Sequence, residues 1–182
     1  PTSMPNRKTP ARTERRPPLV GVEPMPTRIP GFDALLGGGL PRGRTTLIVG
    51  APGSGKTLFA LETLVRGARD GDEPGIFVVF EESAAQVVSN ASSLRWDLAT
   101  LQKKRLFFLD ARLSHHVIHG GPFDLLALLS GLEEKARRMV ARRGGGDGID
   151  MLLSTLGDPV AARREVCRLS EWLVTQQLSG IV

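Results

Sequence analysis

The chain has 182 residues, 41% of them hydrophobic and 24% charged, which is enough apolar content for a buried core and too much for a wholly disordered chain. Its single cysteine, Cys167, excludes an internal disulfide framework and a zinc site needing several thiolates, while no apolar run approaches the roughly 18 residues of a membrane span and no signal-peptide core is visible, so a cytoplasmic location is the default expectation. The net charge of +5 is modest and uneven, which weighs against a nucleic-acid-binding surface on the folded part.

Residues 1–26 read as a flexible, basic, proline-rich leader. The first 30 residues carry six basic side chains, only two acids and eight of the thirteen prolines, so most of the net positive charge belongs to this stretch. Proline supplies no backbone donor and like charges repel. Pro1-Thr2-Ser3 ahead of Met4 is read as a tag remnant. Residues 27–182 read as one domain, or part of one.

Within that domain, strands and helices alternate. Thr45–Val49 is a short β-branched run and predicts a strand. Gly50–Lys56 is a glycine-rich turn. Residues 57–68 place Leu58, Leu61, Leu64, Val65 and Ala68 at helical spacing. Gly75–Phe80 is a strand apolar on both faces, as a buried parallel strand should be. A helix is expected over 84–94, a strand over 105–109, and a long amphipathic helix over 123–143. Gly144–Gly148 is expected to break that helix. Residues 159–177 predict another helix, and Ser179–Val182 the opening of a further strand. This alternation implies an α/β fold with a mostly parallel sheet and helices on both faces. Ligands bind such sheets at the carboxyl ends of the strands.

The strongest motif is Gly50-Ala51-Pro52-Gly53-Ser54-Gly55-Lys56-Thr57, a full match to G-x-x-x-x-G-K-[ST] between a predicted strand and a predicted helix. Small residues let successive backbone N–H groups curl around phosphate oxygens. Lys56 brings a positive charge to the β- and γ-phosphates, and the Thr57 hydroxyl is placed to ligate Mg²⁺. The following helix adds its positive N-terminal end. Glu81 and Glu82 close the next strand, at the same edge. A carboxylate there can accept from or orient an attacking water. Strand alternation sends the two side chains opposite ways, so only one can face the γ-phosphate squarely. A second acid is needed for the metal, and Asp147 and Asp150 both compete. Glycines at 144–146 stand where an apolar strand should precede such an acid.

Taken together, Ile29-Pro30-Gly31-Phe32-Asp33, Gly37–Gly43, the phosphate loop, Asp72–Gly75, Phe80–Ser83, Trp96-Asp97-Leu98, Phe123-Asp124-Leu125, Asp147–Asp150 and Arg163-Arg164-Glu165 resemble the KaiC family of bacterial circadian clock ATPases, in the RecA-like group. The resemblance runs over about residues 27–182 and is similar to the N-terminal of the family's two ATPase repeats. It implies that Gly53, Ser54, Gly55, Lys56, Thr57 and Leu58 contact nucleotide, that Thr57 ligates Mg²⁺, and that Ser93 lies near the nucleotide. It implies Glu81 as general base with Glu82 its partner, and Asp147 rather than Asp150 as the Walker B acid. ATP and Mg²⁺ follow as cofactors. For an intact protein the resemblance implies a hexameric ring, serine/threonine autokinase activity in a second repeat, and docking of a KaiB-like protein partner. The chain is expected to be a partial first domain, because family domains continue for several strands beyond the position of Val182.

Two alternatives share these residues. One is a RecA-like DNA-dependent ATPase; a zinc-bearing recombinase is excluded by the single cysteine. The other is a non-catalytic nucleotide-binding scaffold. His115, His116 and His119 contain a metal-like i, i+4 spacing, but the adjoining Gly120-Gly121-Pro122 makes them a surface loop. The basic helix end at Lys135–Arg143 is read as dipole and ion-pair chemistry rather than a DNA contact.

Overall fold

The computed structural model describes residues 21–112, 125–154 and 156–182. Residues 1–20 of the leader, the three histidines, and Phe123-Asp124 lie outside the described residues. Seven strands are described: β1 (Pro24–Met25), β2 (Leu40–Pro41), β3 (Thr45–Thr46), β4 (Gly75–Val79), β5 (Leu106–Asp110), β6 (Arg143–Asp147) and β7 (Ser179–Ile181). The helices are α1 (Phe32–Leu35), α2 (Lys56–Asp70), α3 (Ala84–Asn90), α4 (Leu98–Lys104), α5 (Leu125–Met139), α6 (Ile149–Ser154) and α7 (Pro159–Thr175), with a 3₁₀ turn over Ala91–Leu94. The expected α/β architecture is present. Five strands form one sheet in the order β3-β7-β6-β4-β5, and every pair in it is parallel. β1 and β2 form a small separate antiparallel pair.

Period-two alternation divides the core between the two faces of the sheet. Phe77 and Val79 of β4 turn toward α2, joining Leu61, Leu64, Val65 and Ala68 in one cluster. Ile76 turns the other way, toward Leu132 and Ala136 of α5 and Leu173 of α7, and Phe80 packs with Leu125 and Leu129. The buried residues of α2 recur three and four apart, so one stripe of the helix lies on the sheet. Helix α7 starts at Pro159, with the Asp158 carboxylate accepting from the N–H groups of Val160 and Ala161. This is a capped helix start with proline in the first turn.

One expectation is corrected. Gly144–Gly148 does more than interrupt a helix. α5 ends at Met139, Val140 turns the chain with φ 52°, and Arg143-Gly144-Gly145-Gly146-Asp147 forms β6, inside the sheet between β7 and β4. Neighbours supply the bulk that this strand lacks. A Cβ on Gly144 would lie 2.9 Å from Leu173 Cδ2, and one on Gly145 would lie 2.8 Å from Phe77 Cδ2. Large side chains from both faces thus close over a strand made of backbone.

The amino edge of the sheet is held by Arg143, whose side chain is fully buried. Its Nη1 donates to the Thr63 carbonyl of α2 at 2.9 Å, and its Nη2 donates to the Pro26 carbonyl at 2.8 Å. Its Nε donates to Glu73 Oε2 at 2.7 Å. Glu73 also takes a 2.7 Å bond from Arg42. Burial pushes the Glu73 carboxyl up, but the bonds from Arg42 and Arg143 outweigh it and hold the group below its ordinary range. Burial pulls the Arg143 guanidinium down despite Glu73, yet a guanidinium starts so far above neutrality that it stays charged.

Candidate functional site

The opposite, carboxyl edge carries the residues singled out in the sequence. The edge strand continues past Thr46: Ile48 N donates to the Val182 carbonyl at 2.7 Å. The chain then turns through the loop, where Gly53 and Gly55 adopt φ 78° and 89°. These are left-handed conformations that cost glycine nothing and other residues a Cβ clash. Gly55 caps α2, and its carbonyl accepts from Phe59 N at 2.9 Å. Ser54 N donates to the Ala51 carbonyl at 3.1 Å, closing the curl. A Cβ on Gly50 would collide with the Ser54 side chain. The Lys56 ammonium folds back to donate to the carbonyls of Gly50 and Ala51 at 2.8 and 3.3 Å. The cation therefore sits over the cradle of amides, where an anion would add to its partners.

The first turn of α2 meets the end of β6. Thr57 Oγ1 donates to Asp147 Oδ1 at 2.6 Å. Strand register brings the other acids to the same level. Val79 of β4 lies opposite Asp147 on one side and Asp110 of β5 on the other, and Phe80 N donates to the Asp147 carbonyl at 3.1 Å. Glu81 follows directly. Gly148, at φ 75°, backs onto it: a Cβ there would lie 2.9 Å from Glu81 Cβ. Glu82 lines a cleft of ≈ 170 Å³ with Thr57, Leu58 and Asn90. A second cleft, of ≈ 220 Å³, has Lys56, Asp147 and Asp150 among its polar lining and Leu47, Val49 and Leu153 among its apolar lining. Asp150 itself is exposed in the first turn of α6, and the Thr57 hydroxyl donates to Asp147 instead. Ser93 lies in the 3₁₀ turn, where its hydroxyl donates to the Asn90 carbonyl at 3.4 Å.

Asp110 escaped the sequence reading, although it too ends an apolar strand. Its Oδ2 accepts from Ala84 N at 3.4 Å, and its Oδ1 takes a 2.8 Å bond from Arg112 Nε. The bond from the Arg112 guanidinium holds its carboxyl below the usual range against the opposing effect of burial. It tethers the start of α3 to β5.

This donor set fits a hard divalent cation held jointly with phosphate. Among the described residues, no group of three or more His, Cys, Asp or Glu side chains converges to cage a metal. Mg²⁺ characteristically takes one or two carboxylates and completes its shell with water and substrate phosphates, and the adjoining Thr57 and Asp147 oxygens provide such a partial set. Acids outnumber cations at this edge. A polyphosphate would meet repulsion there without a cation of its own.

A parallel α/β sheet with this loop between its edge strand and the next helix defines a RecA-like P-loop protein. Comparison with known families narrows the class. The family described as "ATPase: KaiC" matches residues 25–182, and the chain belongs to that family. The circadian clock protein KaiC2 of Synechocystis sp. is 40% identical over 159 residues, covering 86% of this chain and 28% of the relative. The circadian clock oscillator protein KaiC of Parathermosynechococcus lividus is 41% identical over 166 residues, covering 90% and 31%. The protein of the same name in Synechococcus elongatus is 40% identical over 152 residues, covering 81% and 29%. The chain therefore spans less than a third of the length of these curated relatives. No helix among the described residues is long and apolar enough to cross a membrane.

Proposed function

We propose that this chain binds ATP together with Mg²⁺ and hydrolyses it. The observation that carries this reading is the 2.6 Å contact between Thr57 and Asp147, which joins the phosphate loop to an acid on a non-adjacent strand. In this reading the amides of Gly53–Leu58 hold the phosphates, and Gly50 keeps the curl tight by leaving room for Ser54. Lys56 neutralises charge on the β- and γ-phosphates. Thr57 and Asp147 hold Mg²⁺, which would supply charge neutralisation at the transferring phosphoryl group. Glu81, with Glu82 as its partner, accepts a hydrogen bond from water and orients it. Ser93 borders the nucleotide. Catalysis is then mostly positioning and electrostatics.

The relatives' names support a role in a circadian clock or a related signalling system. For a protein of their length, we extend the reading to a hexameric ring with nucleotide between subunits, autokinase activity in a further repeat, and a KaiB-like protein partner. Nucleic acid and membrane have no part in it, and a cytoplasmic location goes with it.

The test is titration with a fluorescent ATP or ADP analogue in Mg²⁺, paired with phosphate-release kinetics. Lys56→Ala should abolish binding. Glu81→Gln should retain binding and lose turnover. A purely structural nucleotide scaffold would show no change on Glu81→Gln, and stimulation of hydrolysis by single-stranded DNA would favour a DNA-dependent ATPase.

A further inference from the structure

We infer that Asn90 is a positioning residue that holds the Glu82 carboxylate against the Thr57 side of the loop; the inference rests on the nucleotide reading above. Asn90 Nδ2 donates to Glu82 Oε2 at 3.1 Å. On its other side, Asn90 Oδ1 accepts from Gln86 Nε2 at 2.9 Å. An ionised carboxylate can only accept, so Asn90 must turn its NH₂ toward Glu82, and Gln86 occupies the oxygen that a flipped amide would present. The relay therefore has one sense: Gln86 to Asn90 to Glu82.

Its base is fixed at both ends. Ser83 caps α3, its Oγ accepting from Gln86 N at 3.0 Å, and Asp110 takes Ala84 N at 3.4 Å. Val87 and Ala91, on the same stretch as Asn90, are buried in the α2-side core. The amide of Asn90 is thus carried on a packed element, whereas Glu82 sits on the exposed link between β4 and α3 with a flexible side chain of its own. Glu82, Asn90, Thr57 and Leu58 line one cleft. Without the amide, the Glu82 carboxylate is free to turn into solvent.

Asn90→Asp tests this, because it keeps the shape, removes the donor and adds a like charge. The expected result is a fall in kcat of up to about 100-fold with nucleotide affinity and thermal midpoint unchanged, the scale on which misplacing a group at the site lowers the rate. In a Glu82→Gln background the same substitution should cost nothing further. Wild-type turnover in Asn90→Asp, or equal losses in both backgrounds, would overturn the inference. A second measurement needs no turnover: the ¹H–¹⁵N signals of the Asn90 side-chain amide should move on Glu82→Ala. If the unaltered chain fails to hydrolyse ATP while those signals move, hydrolysis fails and the positioning stands. Stationary signals sink the positioning whatever the turnover.

Discussion

Thr57 and Asp147, 90 residues apart in the chain, meet through one 2.6 Å hydrogen bond at the carboxyl edge of the sheet. Asp147→Asn keeps the shape of this contact and removes its charge. We expect Mg²⁺-dependent nucleotide binding to weaken and hydrolysis to fall by about 100-fold, the scale for losing one preorganised electrostatic partner. Thr57→Ser retains a hydroxyl and should retain both activities, whereas Thr57→Val should lose both. Nucleotide titrations over a range of Mg²⁺ concentrations check the series.

Arg143→Met should be among the most damaging substitutions for stability. It leaves the Glu73 carboxylate with Arg42 alone and removes the guanidinium bonds to the Thr63 and Pro26 carbonyls. Breaking one side of a buried pair costs about 3–5 kcal/mol. Urea denaturation reads the loss. Because α2 and the amino edge of β6 share this arginine, binding at the far edge should weaken with it.

Glu73 also sets an acid limit. Its folded carboxyl titrates below the ordinary glutamate value of 4.5, so the unfolded chain takes up the proton first. Its stabilisation is complete above that value and disappears as pH falls through the folded pKa. Glu73→Gln should lower stability at neutral pH and flatten the acid side of the profile. Denaturation midpoints for both chains between about pH 3 and pH 6 give the difference attributable to this group.

Glycines 145 and 146 should respond oppositely to alanine. At Gly145 the new methyl would meet the Phe77 ring at 2.8 Å; at Gly146 it would meet Val182 Cγ1 at an ordinary 3.5 Å. Gly145→Ala should destabilise by about 1–3 kcal/mol through overpacking. Gly146→Ala should stabilise by about 0.4–1 kcal/mol by restricting the unfolded chain. Thermal melts of the two variants decide the point.

Much of the fold was legible because its elements carry ordinary signals. β4 is an unbroken apolar run, α2 a regular stripe, and the loop between β3 and α2 is written in glycines that take the left-handed conformations their spacing calls for. β6 was not legible. A strand is recognised by its side chains, and here the side chains that fill the space belong to Phe77, Leu64 and Leu173; the residues alone left Asp147 and Asp150 competing, and family resemblance chose Asp147. α4 could have been found, since Asp97 accepts from Thr100 N as a helix cap and Lys103 and Lys104 close the last turn. Asp110 carried the same sign as Glu81, an acid closing an apolar strand, and was passed over; Asn90 gave no local sign, because its relevance lies in what α3 brings it next to.

The bare middle of β6 has a consequence for accuracy of assembly. Sliding a strand by one position normally buries polar groups and exposes apolar ones, and that penalty locks the alignment. Three consecutive glycines carry no such penalty, so alignment falls to the ends: Arg143, whose guanidinium fits one slot beside Glu73, and Asp147, which reaches Thr57. A shift of a single position would leave a glycine facing Thr57, so the buried arginine at one rim acts as the gauge that sets where the acid arrives at the other.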